Sequence, residues 1–159
     1  MSAITDLSVR TADGGEQSLA DYAGKVLLVV NTASQCGFTP QYAGLEELHR
    51  AYAERGLAVL AFPCNQFGAQ EPGDAAAIAT FCTTRYDVSF PVFSKVEVNG
   101  AGADALFERL KRAAPGLLGS RAIKWNFTKF LVARDGETVR RYAPTTAPEA
   151  LRADIEALL

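Results

Sequence analysis

Lys25-Val26-Leu27-Leu28-Val29-Val30-Asn31 and Leu57-Ala58-Val59-Leu60-Ala61-Phe62-Pro63 are two short, nearly continuous aliphatic runs. Each is long enough for a buried strand and too short for a typical helix. Between them lies a loop, Thr32-Ala33-Ser34-Gln35-Cys36-Gly37-Phe38-Thr39-Pro40, leading into a helix over about Pro40 to Arg55. Thr39 suits the N-cap and Pro40 the first helical position. Leu45, Leu48 and Tyr52 supply an apolar face at helical spacing, and Gly56 closes the helix. The unit is strand–helix–strand, and a right-handed parallel crossover is the expected connection.

The rest of the chain arranges itself around this unit. Asp13-Gly14-Gly15 is a turn between two short extended segments. A second helix is expected from about Asp74 into the region of Cys82, an extended stretch over Pro91–Asn99, and a helix over Ala103–Ala113. Thr128–Ala133 and Thr138–Tyr142 flank Asp135-Gly136, which favours an antiparallel hairpin. A last helix covers about Pro148 to Leu158. The order implies an α/β fold, a central mixed β-sheet with helices on both faces, and a thioredoxin-like arrangement fits it. No repeat, linker or low-complexity tract divides the 159 residues, so one domain over 1–159 is expected.

Composition narrows the function classes. With 48% hydrophobic and 21% charged residues the chain is an ordinary globular one, and a net charge of −2 offers nucleic acid no basic field. No apolar run is long enough to span a membrane. Met1 to Arg10 mixes polar and charged residues and lacks the apolar region of a signal peptide, so a cytoplasmic protein is expected. In that compartment the three cysteines read as thiols with catalytic potential rather than as structural disulfides.

Three segments carry candidate chemistry. Cys36 falls after a strand and before a helix, where unpaired backbone N–H groups and the helix dipole favour a negative charge. An unperturbed thiol, with a pKa of about 8.5, is only roughly 3% ionised at pH 7, so such a position matters for reactivity. Gly37 leaves the backbone room beside the sulfur. The bland alternative is a buried, inert cysteine. The second segment, Phe62-Pro63-Cys64-Asn65-Gln66-Phe67-Gly68-Ala69-Gln70-Glu71-Pro72, leaves the same sheet edge and gathers amides that can donate to an anion without adding charge. Read without context it is a polar turn. The third, Trp125-Asn126-Phe127, holds the single tryptophan, whose indole donates but does not accept; a lone Trp is more often a core anchor.

Together the three segments resemble the glutathione peroxidase family. The resemblance rests on Asn31 through Thr39, on the eleven residues Phe62 through Pro72, and on Lys124-Trp125-Asn126-Phe127-Thr128-Lys129-Phe130-Leu131, with order and spacing agreeing from about Asp6 to Leu151. It implies that Cys36 is the peroxidatic residue and that Gln70, Trp125 and Asn126 complete a catalytic tetrad. The implied activity is reduction of hydrogen peroxide and of organic or lipid hydroperoxides through a sulfenic acid, with no metal or cofactor.

The resemblance extends to how the enzyme is reset. Ile78-Ala79-Thr80-Phe81-Cys82, with Tyr86 and Phe90-Pro91-Val92-Phe93, is similar to the branch that uses a resolving cysteine. Cys82 would then form a disulfide with Cys36 that thioredoxin reduces. A disulfide needs Cα atoms within roughly 7 Å, so the Cys82 helix must partly unwind if the two cysteines begin farther apart, and Phe81-Cys82-Thr83-Thr84 is weak helix-forming material. Only Ala114 to Lys124 separates the Ala103 helix from Trp125, whereas glutathione-using tetramers of the family carry a longer insertion there. Thioredoxin rather than glutathione, and a monomer, are therefore expected. Cys64 reads as a structural thiol, and His49 with Glu46, Glu47, Arg50 and Glu54 as the wet face of the first helix. Two rivals use the same cysteines: a peroxide sensor that relays its disulfide to a partner, and a thiol–disulfide oxidoreductase, which the missing CxxC pair argues against.

Overall fold

The computed structural model describes residues 3–159, the Leu117 side chain excepted; Met1 and Ser2, which head the stretch read for a leader, lie outside them. The two aliphatic runs form β3 and β4 after a small N-terminal hairpin. That hairpin pairs β1 (Ser8–Arg10) with β2 (Glu16–Ser18), and its Asp13–Gly15 turn is held by the Gly15 N–H donating to the Asp13 carboxylate. β3 (Val26–Thr32) and β4 (Leu57–Pro63) are buried at every position and run parallel, from Val26 opposite Leu57 to Thr32 opposite Pro63. Between them α1 (Gln41–Tyr52) ends through a 3-10 turn at Gly56, whose φ of 110° suits a residue without Cβ.

α2 (Ala75–Tyr86) starts at Asp74, whose carboxylate accepts the Ala77 N–H, and α3 (Ala105–Ala113) starts at Asp104, which caps Leu106 in the same way. β5 (Lys129–Val132) and β6 (Val139–Tyr142) form the expected antiparallel hairpin, and α4 (Arg152–Leu158) follows a 3-10 turn over Pro148–Leu151. The sheet order is β4-β3-β5-β6, with β5 antiparallel to β3. No helix among the described residues is long and apolar enough to cross a membrane.

Strand periodicity divides the core into two layers. Leu27, Val29, Leu60, Phe62, Phe130 and Val132 pack with Phe107 and Leu110 of α3. Val26, Leu28, Val30 and Leu131 pack on the other face with Leu45 and Leu48 of α1, Ile78 of α2 and Ile155 of α4. Cys36 and Cys82 both belong to this second layer, and Cys64 to the first.

Several details differ from the sequence reading. Thr39 does not cap α1. Its buried hydroxyl accepts the Cys36 N–H at 2.9 Å and donates to the Ala33 carbonyl at 2.7 Å, so it is spent inside the cysteine loop, and α1 begins at Gln41 without a side-chain cap. Pro91–Asn99 forms two isolated bridges, Val92 with Ala61 and Glu97 with Ala103, rather than a ladder strand. Pro91 has no N–H to give, so the segment pairs through the Pro91 carbonyl and the Phe93 N–H, both with Ala61. Glu46 and His49 are not on a wet face. Glu46 is buried, receiving the Ser89 N–H and hydroxyl and the Arg50 guanidinium, and His49 is half-buried with its ring edge-on to Phe90. The return loop after α2 docks on that face, which helical periodicity alone does not reveal.

Candidate active site

Sheet direction brings the three motifs together. Parallel β3 and β4 end side by side at Thr32 and Pro63, and antiparallel β5 begins at that same edge, with Lys129 opposite Val30. The loops leaving these ends are stitched by backbone bonds. The Gln35 N–H donates to the Gln70 carbonyl at 3.0 Å, the Cys64 N–H to Thr32 at 3.0 Å, and the Phe127 N–H to Asn31 at 2.7 Å. Asn31 further donates its side-chain amide to the Trp125 carbonyl at 3.2 Å. Phe127 takes φ of 63°, a left-handed kink that turns the chain from Trp125-Asn126 into β5.

Cys36 is 8% exposed, and its Sγ accepts the Phe38 N–H at 3.3 Å. That donor belongs to the tight turn ahead of α1, not to the first turn of the helix as expected. The Thr39 hydroxyl locks this turn from beneath.

Asn126 is fully buried, and its side-chain amide donates to Gln70 Oε1 at 3.1 Å and to the Phe67 carbonyl at 3.4 Å. With its oxygen engaged, the Gln70 amide has its N–H groups left to donate. Trp125 is half-buried and contacts both core layers. Gly68, at φ of 68°, lies under it: a Cβ there would sit 3.2 Å from the indole and 3.4 Å from the Gln70 side chain. The structure thus packs Gln70, Trp125 and Asn126 as one unit tied to the Cys36 loop through Gln35.

All three cysteines are free thiols. Cys82, on the inner face of α2, is 2% exposed; burial pushes its thiol up, the neighbouring Tyr42 hydroxyl opposes this, and the Glu71 charge adds to it. Burial likewise pushes the Cys64 thiol up.

Sequence reasoning passed over Ser34, Tyr42 and Glu71. Glu71 is 1% exposed and accepts the Ser34 hydroxyl at 2.6 Å, and burial pushes its carboxyl above the usual range. A carboxylate amid the amides and turn formers of the second motif was the available signal. Lys129 is another buried charge: its ammonium donates to the Ala143, Pro144 and Thr146 carbonyls, while burial pushes its pKa down to about 7.

Solved structures define the class first. The thioredoxin-family thiol:disulfide interchange protein from Chlorobium tepidum TLS matches over 99% of this chain and 95% of its own with a TM-score of 0.71 at 16% identity, so the fold is the thioredoxin fold. The crystal structure of Trgpx in apo form matches at 42% identity with a TM-score of 0.83, covering 99% of this chain and 95% of that one. The family model for glutathione peroxidase matches residues 4–111. The hydroperoxy fatty acid reductase of Synechocystis sp. is 55% identical over 98% of this chain and 95% of its own length. The chain belongs to the glutathione peroxidase family, and it is a thiol peroxidase acting on hydroperoxides.

Proposed function

We propose that Cys36 attacks the hydroperoxide, that Gln70, Trp125 and Asn126 assist it, and that Cys82 resolves the product for reduction by thioredoxin. The observation that carries this reading is the convergence of the Cys36 turn with the interlocked Gln70 and Asn126 amides and the Trp125 indole at one sheet edge. In the first step the sulfur bonds to one peroxide oxygen and the O–O bond breaks. The product is a sulfenic acid and a hydroxide or alkoxide that takes up a proton. Fixed neutral donors stabilise charge that develops on oxygen and need little rearrangement as the bond breaks.

Cys82 is favoured as the resolving thiol because it shares an apolar layer with Cys36, whereas Cys64 lies across the sheet. Resolution returns the sulfenic acid to a reducible state before further oxidation. The short Ala114–Lys124 segment supports thioredoxin over glutathione as reductant. The reading includes a monomer of one domain over 1–159, located in the cytoplasm. Lipid hydroperoxides belong to its substrate range, in keeping with the name of the Synechocystis relative, a hydroperoxy fatty acid reductase.

Steady-state peroxide consumption tests it, with thioredoxin, thioredoxin reductase and NADPH against glutathione. Cys36→Ser is expected to abolish turnover with either donor. Cys82→Ser is expected to consume a single equivalent and stop with thioredoxin. Undiminished thioredoxin cycling in Cys82→Ser would remove the resolving role, and a wild type that stalls after one event would favour a sensor.

A further inference from the structure

Cys36 and Cys82 are free thiols, so joining them takes a movement. The Cys36 turn is locked by the Thr39 hydroxyl and leads into α1, which buries Tyr42, Leu45, Glu46, Leu48 and Tyr52. α2 buries only Ile78 and Cys82, so the movement falls to α2. We propose that Tyr42 is a positioning residue of the resolving step: its ring, lodged against Phe81 and Tyr86, keeps Cys82 in its seat, and release of those two rings limits the rate of disulfide formation. The inference rests on the reading of Cys82 as the resolving residue.

Among the described residues, four aromatic rings pack around the Tyr42 ring, and they fall into two pairs. Phe127 meets it edge-on at 5.5 Å, and Phe90 stacks on it at 6.4 Å. Both of these rings are buried, and the Phe127 backbone is pinned by its N–H to the Asn31 carbonyl at 2.7 Å. Tyr42 is pinned as well, beside the Cys36 turn. Its N–H donates to the Thr39 carbonyl at 3.0 Å, and the Thr39 N–H donates to the Cys36 carbonyl at 3.0 Å. This side of the cluster stays in place.

The other pair comes from α2. Phe81 lies 6.4 Å and Tyr86 5.6 Å from the Tyr42 ring, and the two are 5.9 Å from each other. Phe81 immediately precedes Cys82, and Tyr86 follows it by four residues, one helical turn along the same face. The turn that carries Cys82 therefore meets α1 through these two rings. Both are only half-buried, so they pass into water more easily than Phe90 and Phe127. The Tyr42 hydroxyl makes no hydrogen bond among the described residues, so the rings carry the contact.

The direction of the effect follows. Each aromatic pair favours the closed helix by about two- to tenfold in the opening equilibrium. Removing the Tyr42 ring therefore speeds resolution, whereas loss of a group that acts on the reacting atoms would slow it. Once released, the Cys82 sulfur bonds to the Cys36 sulfur and the S–O bond of the sulfenic acid breaks. The departing hydroxide takes the Cys82 proton and leaves as water.

Reduced enzyme is mixed with one equivalent of hydrogen peroxide. The first-order disulfide formation that follows Cys36 oxidation is measured by acid quench, alkylation and mass spectrometry. Tyr42→Leu is expected to raise that rate about tenfold, and Phe81→Leu and Tyr86→Leu about threefold each. The last two change half-buried positions and carry the comparison alone if Tyr42→Leu does not fold. Tyr42→Phe keeps the ring and should return the wild-type rate. The double variant Tyr42→Leu/Phe81→Leu should fall short of the product of the single effects, because both remove one contact, whereas independent structural defects would multiply. In the reduced protein, without peroxide, amides from Phe81 to Tyr86 should exchange faster by the same factor as the disulfide rate, while those of β3 follow global unfolding. Disulfide rates at or below wild type in Phe81→Leu and Tyr86→Leu would overturn the inference and leave the resolving role intact. So would a Tyr42→Phe rate as high as that of Tyr42→Leu. Undiminished thioredoxin cycling in Cys82→Ser would overturn the resolving role, and the inference with it.

Discussion

At Cys36 the sulfur is served, among the described residues, by the backbone N–H of Phe38, and that donor is in place because Thr39 turns its hydroxyl inward and ties Cys36 to Ala33. Polar side chains nearby are set by one another in the same way. The Asn126 amide fixes the Gln70 oxygen and so decides which end of the Gln70 amide faces outward. Asn126→Ala removes that donor, leaves Gln70 free to rotate, and opens space in a fully buried position. The expected result is a fall of about a hundredfold in the second-order rate of Cys36 oxidation, as for loss of a preorganised donor. A stability loss of about 1–3 kcal/mol should accompany it. Stopped-flow peroxide reduction and urea unfolding measure the two effects, and an unchanged oxidation rate would remove Asn126 from the site.

α2 rests on the core through a narrow stripe, with Phe81 and Tyr86 partly buried against the Tyr42 ring. Only Ile78 and Cys82 of its residues are buried, and its later part, Phe81-Cys82-Thr83-Thr84, has modest helix propensity. Its C-terminal exit is fastened to α1 instead. Arg50 donates to the Asp87 carbonyl at 3.2 Å, and Glu46 receives Ser89 and Arg50. Burial pushes the Glu46 carboxyl up, but the Ser89 hydroxyl and N–H together with Arg50 outweigh it and hold the group below the usual carboxylate range. A carboxyl lowered in the folded state stabilises above its unfolded pKa of about 4.3, and that contribution disappears as pH falls through the folded value. Amide exchange over residues 80–90 should therefore accelerate on acidification below about pH 4.3 relative to the chain average. Glu46→Gln should exchange faster at pH 7 and lose that dependence. Such a variant should also speed disulfide formation, because Cys82 must leave its seat to reach Cys36. Identical exchange in the two proteins would mean that Glu46 does not fasten α2.

Across the whole molecule, what could be read from the sequence follows chain direction. Two buried, mostly aliphatic strands joined by one helix read as a parallel pair, which places the first two motifs at one edge, whereas the Trp125 motif joins them only because β5 runs antiparallel to β3, a pairing that the Asp135-Gly136 hairpin does not specify. Details set by distant segments were not legible in this way. Glu46 and His49 looked like solvent-facing helix positions because nothing local tells that Ser89 and Phe90 dock on them. Thr39 looked like a cap because its use depends on the shape of the loop before it, and Glu71 hid among turn formers because its partner Ser34 comes from the distant Cys36 loop. Every assignment of mechanism nevertheless passes through one sulfur. The most direct measurement mixes reduced Cys82→Ser and Cys36→Ser with one equivalent of hydroperoxide, no reductant present, and traps sulfenic acid with a 1,3-dione before peptide mass spectrometry. Cys82→Ser should carry one label per chain, on Cys36, and Cys36→Ser should carry none and consume peroxide no faster than buffer. Peroxide consumption at the wild-type rate by Cys36→Ser would contradict the account.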